Sequence, residues 1–314
     1  MATCFKAEAS ALRAAGLATA SQHGAEGCRF RASNGLTVAV LGAGKIGSII
    51  AMRLAECGHR VIATARSGER IERLRLMGLQ ATRDNRRALL ESQVAFIAVK
   101  PYQYPTLIRE IEGATQGKVI VSVMAGIPLK LLTSTLPGAE VYRAMPNLNA
   151  LIRRSSTALA SPPRPQRREL VVQLLNCLGS VYEIPEELMD AWTATIGSGP
   201  AIIAEIVDSL ILGALAVGIP RNLAYNAILD MLVGTAEYLR AKPEHPAQLR
   251  DEVTTPGGTT IRALKVIEGK GVKSAIIDAI EKATARAREL AREIEKSITT
   301  NMDSTGSKEA PGGS

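Results

Sequence analysis

Two short strings hold the residue types that could do chemistry. The first is Thr254-Thr255-Pro256-Gly257-Gly258-Thr259-Thr260, inside the longer run DEVTTPGGTTIRAL at 251–264. Pro256, Gly257 and Gly258 cannot continue a helix, whereas Ile261, Leu264 and Ile267 recur at helical spacing. The string therefore reads as a tight turn feeding a helix N-terminus, where unpaired N–H groups and the helix dipole attract an anion. Gly257 and Gly258 let the backbone approach a ligand closely, and Thr259 and Thr260 add hydroxyls at the cap. Spacing alone would equally describe a capped surface turn.

The second string is Gly42-Ala43-Gly44-Lys45-Ile46-Gly47. Its context gives it weight. An apolar run of strand length, Leu36 to Leu41, enters it, a helical stretch from Ser48 to Cys57 leaves it, and a second strand follows from Arg60 to Ala65. That is the βαβ frame of a dinucleotide site: the first glycine makes the turn, the second admits the pyrophosphate, and the third permits helix packing. The end of the second strand selects the cofactor. An NAD site places an acid there for the ribose 2′-hydroxyl, but this chain reads Ala65-Arg66-Ser67, with Arg70 one turn on. Arginine can hold a 2′-phosphate that an acid would repel, so NADPH is the expected donor, with NADH the alternative. Arg66, Arg70, Arg73 and Arg75 could instead simply solvate a helix face.

The elements that position these strings alternate strand and helix. Further strands are predicted at Gln80–Thr82, Val94–Val99, Val119–Val123, Glu140–Met145, Ser155–Ala160 and Ser180–Ile184, with helical or irregular segments between them. This predicts an α/β fold of the Rossmann type, a doubly wound parallel sheet, over residues 36–184. Ligands then gather at the carboxyl ends of the strands, where Ala98, Lys100 and Ala125 fall. From Glu186 the pattern turns helical, giving an all-α domain at 185–299. Its most apolar stretch, Ala201 to Val217, is interrupted by Glu205 and Asp208, and is predicted to be a buried helix and not a membrane span. Val272 to Ile298 carries apolar residues at 276, 280, 283, 287, 290 and 294, a seam suited to packing on another helix.

Composition sets the outer limits. The chain has 314 residues, enough for two domains, a formal charge of +8 and only 3% aromatic residues. Few aromatics and no long basic run speak against a nucleic-acid module, even with that charge. Cys4, Cys28, Cys57 and Cys177 show no CxxC spacing, and with His23, His59 and His245 they make no zinc pattern. Reduced thiols in a cytoplasmic protein are the expectation, and no metal. Residues 1–35 read as a disordered or targeting extension: they are rich in Ala, Ser and Arg, which leaves organellar import open, but carry Glu8 and Glu26. Residues 300–314 are polar and expected to be disordered.

The blocks GAGKIG, AVKP, GSGPA and EHPAQLRDEVTTPGGTTI together resemble the Δ1-pyrroline-5-carboxylate reductase family, over roughly Thr37 to Arg292. The resemblance implies reduction of Δ1-pyrroline-5-carboxylate to L-proline by NAD(P)H. It implies that Thr255, Gly257, Gly258, Thr259 and Thr260 surround the substrate, that backbone amides of the turn take its carboxylate, and that Thr260 hydrogen-bonds the reacting imine. It further implies that Ala98, Lys100 and Ala125 lie on segments lining the nicotinamide and ribose, that Asn85 contacts the cofactor, and that the C-terminal helices pair subunits into a homodimer or larger homo-oligomer. The residue types agree with an imine. A carbonyl needs a general acid as its oxygen takes up charge, but a protonated imine needs mainly a hydrogen-bonding partner and a fixed carboxylate, which hydroxyls and amides supply.

The chain departs from the family pattern at Ile196 and Ile202 around GSGPA, at Leu148-Asn149 after Met145-Pro146-Asn147, at Arg153-Arg154-Ser155, and at Pro243, where some members have a glutamate. These changes bear on substrate scope. A six-membered imine such as piperideine-carboxylate, or a non-catalytic NADPH-binding regulator, are the alternatives.

Overall fold

The computed structural model describes residues 35–306, with side chains to 298. The predicted extension therefore lies outside the described residues except for Gly35, as do residues 307–314 of the predicted tail. The described chain forms two compact units, one ending at Gly197 and resumed from Ala287, the other Ser198–Arg286. The sequence boundary at 184/185 falls inside the first.

The first unit alternates strand and helix: β1 (Thr37–Leu41), α1 (Lys45–Glu56), β2 (Arg60–Thr64), α2 (Gly68–Leu76), β3 (Gln80–Thr82), α3 (Asn85–Leu90), β4 (Val94–Ile97), α4 (Tyr104–Glu110), β5 (Val119–Ser122), α5 (Leu129–Thr135), β6 (Glu140–Met145), β7 (Ser155–Ala160), α6 (Arg168–Asn176) and β8 (Gly179–Glu183). The strands form one sheet in the order β3-β2-β1-β4-β5-β6-β7-β8. The chain reverses outward direction after β3, and the carboxyl ends of β1 and β4 meet at that switch point, where such sheets open a crevice.

The expected parallel sheet needs one correction. β7 pairs antiparallel with β6, Met145 facing Ala158, and β8 then pairs parallel with β7, so the last two strands run against the other six. The reason is the connection. A short link built on a 3₁₀ turn at Leu148–Ile152, closed by Arg153 in the left-handed region at φ 58°, cannot make a parallel crossover.

Strand residues alternate between two apolar layers. Val38, Val40, Phe96 and Val121 pack with Ile50 and Leu54 of α1, Leu74 of α2 and Leu174 and Leu175 of α6. Ala39, Leu41, Ile97 and Ile120 pack with Leu89 of α3, Leu107 of α4, Leu132 of α5 and Ile298 of the last helix. Coverage of both faces explains why these strands read as unbroken apolar runs.

Cys57 and Cys177, expected as free thiols, are joined in a disulfide with their α-carbons 6.3 Å apart. They are 120 residues apart in sequence, so no local spacing announces the pair. They meet because each caps the C-terminus of a helix, α1 and α6, lying on the same layer. Cys4 and Cys28 lie outside the described residues.

After α7 (Met189–Trp192) and a π-turn at Thr193–Gly197, the second unit contains α8 (Gly199–Ala216), α9 (Arg221–Ala241), α10 (Pro246–Glu252), α11 (Thr259–Gly269) and the first half of α12 (Val272–Gly306). The helix α12 continues past 300, so the predicted polar tail begins helical. The prediction of a buried α8 is also corrected. Within the single chain its only buried residue is Ile211, and Ile203 and Leu212 are about half exposed. By length and composition the segment Glu186–Ala216 could cross a membrane. Apolarity in a sequence says that a face wants covering; it does not say by what. The seam on α12 is likewise shared: Ile294 and Ile298 pack on the first unit's core, whereas Ile276 and Leu290 stay open.

Candidate active site

The glycine string sits where β1 runs into α1. Gly42 has φ +91°, and a Cβ there would stand 2.5 Å from Val99 Cγ1 and 2.8 Å from the Val99 amide nitrogen. Only glycine fits. At Gly44 an added Cβ would meet nothing nearer than 3.9 Å, so this residue faces open space. At Gly47 it would stand 2.3 Å from the Gly42 carbonyl oxygen and 3.1 Å from the Ala98 Cβ. Turn, opening and packing contact thus fall on the three glycines in the order a pyrophosphate cradle requires. The first-turn N–H groups of α1 have no acceptor in the preceding turn, and Gly44, its cap residue, offers no side chain to take one.

This cradle is the floor of a cleft of about 780 Å³. Of the cofactor residues expected from sequence, Gly42, Ala43, Gly44, Lys45 and Ile46 line it from the first βα turn, and Arg66 and Ser67 from the end of β2. Asn85 enters from α3, Ala98 and Lys100 from beyond β4, and Ala125 from beyond β5. Gly47 does not line the cleft; its part is the close packing of α1 on the sheet. Among the lining residues Lys45, Arg66, Arg70, Arg83 and Lys100 are basic and Glu110 is the single acid, so the cleft favours an anion.

Hydrogen bonds fix one wall. The Gly42 N–H donates to Thr64 Oγ1 at 3.0 Å, the Thr64 hydroxyl donates to Asn85 Oδ1 at 2.5 Å, and Asn85 Nδ2 donates to Glu110 Oε2 at 2.5 Å. Thr64 is buried, so the glycine turn and Asn85 are held to the strand end by one relay. The sequence gives no hint of Thr64, because a threonine in a strand is ordinary. Ser67 caps α2 by accepting from the Arg70 N–H at 3.3 Å.

The four arginines that could have been mere helix solvation now separate. Arg73 pairs with Glu69 at 2.7 Å and Arg75 approaches Glu72 at 3.8 Å, both along the exposed helix. Arg66 and Arg70 line the cleft instead. Arg83, singled out by no sequence motif, joins them.

The signature turn belongs to the second unit. The Gly258 N–H donates to the Thr255 carbonyl at 3.1 Å, closing a turn around Pro256 and Gly257. Gly257 takes φ +71° with open space where a side chain would be. Gly258 caps α11, so Thr259 and Thr260 are its first two residues and their backbone amides have no helical acceptor. Thr254 closes the preceding helix by donating its hydroxyl to the Arg250 carbonyl at 2.6 Å. Of the departures, Ile196 meets the end of β6: Asn147 Nδ2 donates to the Ile196 carbonyl at 3.2 Å, tying β6 to the π-turn.

Fold and cradle together define a dinucleotide-dependent oxidoreductase. Comparison with known proteins carries the assignment further. Residues 37–126 match the family described as NADP oxidoreductase, coenzyme F420-dependent, and residues 186–290 match pyrroline-5-carboxylate reductase dimerisation. The chain is 37% identical over 263 residues to pyrroline-5-carboxylate reductase 3 of Bos taurus, covering 81% of this chain and 85% of that one. It is 37% identical over 211 residues to pyrroline-5-carboxylate reductase of Synechocystis sp., covering 67% and 79%. The solved 1-pyrroline-5-carboxylate reductase of Streptococcus pyogenes superposes with a TM-score of 0.76 at 28% identity, over 82% of this chain and 100% of that one. A Plasmodium falciparum pyrroline carboxylate reductase, solved with NADP bound, shares the fold with a TM-score of 0.75 at 23% identity, over 82% and 98%. This chain belongs to the pyrroline-5-carboxylate reductase family.

Proposed function

We propose that this protein reduces Δ1-pyrroline-5-carboxylate to L-proline with NADPH, in the cytoplasm, as a homo-oligomer assembled through its C-terminal helices. The observation that carries the reading is the combination of a family-length match with two strings in working conformation: a glycine cradle under a basic cleft, and an open turn feeding a helix N-terminus.

A reduced nicotinamide held in the cleft would supply the hydride that the imine carbon takes up. The chain's own groups bind, orient and hold charge. The first turn of α1 would hold the pyrophosphate, with Gly44 giving access and Lys45 adding charge. Asn85, fixed by Thr64 and Glu110, and the Ala98, Lys100 and Ala125 segments position the rest of the cofactor. Arg66 and Ser67 would hold the ribose 2′-phosphate. In the second unit the amides following Gly257 and Gly258 receive the substrate carboxylate, with Thr255 and Thr259 beside them. The Thr260 hydroxyl would accept a hydrogen bond from the N–H of the protonated imine, the atom that keeps this proton as the ring becomes an amine.

The dimerisation match over 186–290 supports self-association as the cover for the apolar faces of α8 and α9. Mixing purified protein with Δ1-pyrroline-5-carboxylate and either NADPH or NADH tests the reading. Loss of nicotinamide absorbance, faster with NADPH, is expected; a protein that binds NADPH but never oxidises it with this imine would refute the reading.

A further inference from the structure

The cleft holds one arginine that neither motif nor family resemblance assigns. β3 pairs parallel with β2 in the register Thr64 to Thr82, and the Ala65 N–H donates to the Thr82 carbonyl at 3.1 Å. Arg83 is therefore the first residue past the carboxyl end of β3, beside Ala65 and Arg66 past the end of β2. Neighbouring strands lie about 4.8 Å apart, so residues leaving adjacent strand ends enter the same space. Arg83 lines the cleft with Arg66 and Arg70, and its Nη2 stands 3.3 Å from where a Gly68 Cβ would be, over the first turn of α2. Arg70 comes from the other side, its Nη1 3.9 Å from the corresponding point at Gly44.

Charge accounting makes the placement informative. The nearby acids are occupied elsewhere: Glu69 by Arg73, Glu72 by Arg75, and Asp84 as cap of α3, accepting from the Arg87 N–H at 2.8 Å. Among the described residues Arg66, Arg70 and Arg83 pair with no carboxylate. Exposed arginines on a surface rich in acid usually find partners. Three left unpaired around one concave wall form a receptor for a group carrying close to two negative charges.

We propose that Arg83 is a specificity-determining residue, its guanidinium closing on the phosphate at the ribose 2′-oxygen of NADPH opposite Arg66. The proposal rests on the NADPH reading above. NADH presents only a hydroxyl at this point and relieves none of the repulsion among the three cations, so Arg83 favours the phosphorylated dinucleotide by attraction and leaves the affinity for NADH nearly unchanged. The planar fork matters, because two N–H groups must meet two phosphate oxygens.

The test is the dissociation constants of NADPH and NADH for the wild type, Arg83→Gln, Arg83→Lys and the control Arg73→Gln, with adenosine 2′,5′-bisphosphate and AMP as fragments. Arg83 is exposed and bonds to no other element, so the substitution leaves the core intact. Arg83→Gln is expected to weaken NADPH and the bisphosphate by about 10- to 100-fold while leaving NADH and AMP within about threefold. Lysine should recover part of the loss, and Arg73→Gln should change nothing. A wild type that prefers NADPH, with a preference unmoved by Arg83→Gln, would overturn the role of Arg83 and leave the NADPH reading standing. A wild type without preference would sink both.

Discussion

β4 and α8 are both apolar, yet they have opposite fates in the single chain. Every residue of Val94–Ile97 is buried, with Phe96 at 0% exposure. Along Gly199–Ala216 only Ile211 is buried, and Leu212 beside it is 51% exposed. The first unit closes its core with its own helices on both faces of a sheet. The second leaves the apolar residues of α8 largely exposed in the single chain. Apolar area is worth about 25 cal/mol per Å² only once it leaves water, so on the proposed self-association the second unit would gain stability from a partner and the first would not need one. The glycine cradle lies in the first unit and the turn at 255–260 in the second.

The sharpest way to break this comparison is to charge the outward face. Leu212→Glu places a carboxylate where the proposed contact would desolvate it, which costs several kcal/mol. Sedimentation should show the assembly falling to monomer and turnover nearly abolished, while NADPH binding persists within about threefold. Phe96→Ala is the counterpart in the first unit and should cost about 3–5 kcal/mol through a cavity. The lowering of its melting temperature relative to wild type should be the same at every protein concentration, whereas the lowering in Leu212→Glu should not. Concentration-independent melting of the wild type would contradict the division of labour.

Two glycines with similar φ sharpen it further. Gly42→Ala combines the left-handed penalty, about 1–2 kcal/mol, with a Cβ at 2.5 Å from Val99 Cγ1 and 2.8 Å from its backbone nitrogen. NADPH affinity should fall by more than about 100-fold, since the β1–α1 turn must shift. Gly257→Ala meets no atom within 4 Å at φ +71° and bears only the conformational penalty. We expect a KM increase for the imine of about tenfold at unchanged NADPH affinity. Thr260→Ala should lower kcat by about 10- to 100-fold with both binding constants nearly kept, as for loss of the group that orients the reacting imine. Equal losses of NADPH affinity in all three variants would show that turn and cradle are not separate functions.

What was legible in the sequence follows the same line. Strands buried on both faces, such as residues 38–41 and Val94–Ile97, announce themselves as unbroken apolar runs, and the more polar strands Gln80–Thr82, Glu140–Met145 and Ser155–Ala160 also keep their predicted bounds. The glycine string was legible because steric demands at Gly42 and Gly47 leave no other residue type. Strand direction was not: β7 has the same kind of residues whether it runs with β6 or against it, and the short link through Arg153 decides. Nor could residues that meet only through the sheet be seen. Cys57 and Cys177 are joined by the packing of α1 and α6, and Arg83 reaches the cleft only because β3 returns beside β2. The fate of α8 lay beyond a single sequence for a different reason, since its cover is not in the chain's own fold.

The smallest effect is expected from His59, in the turn between α1 and β2, and it returns to the self-sufficient unit. Burial lowers its pKa from the ordinary histidine value, and its Nδ1 is enclosed with no hydrogen-bond partner among the described residues. The sign follows from proton binding. Below about 6.5 the unfolded chain takes up a proton that the folded chain resists, so stability is fully present above that pH and is lost as pH falls through the folded value. His59→Asn removes the titration, so the gap between wild-type and variant melting temperatures should narrow in favour of the variant between pH 7.5 and pH 5. Because the group belongs to the first unit's own packing, this narrowing should not change with protein concentration. A narrowing that grew on dilution would place the His59 effect in subunit assembly and blur the line between the two units.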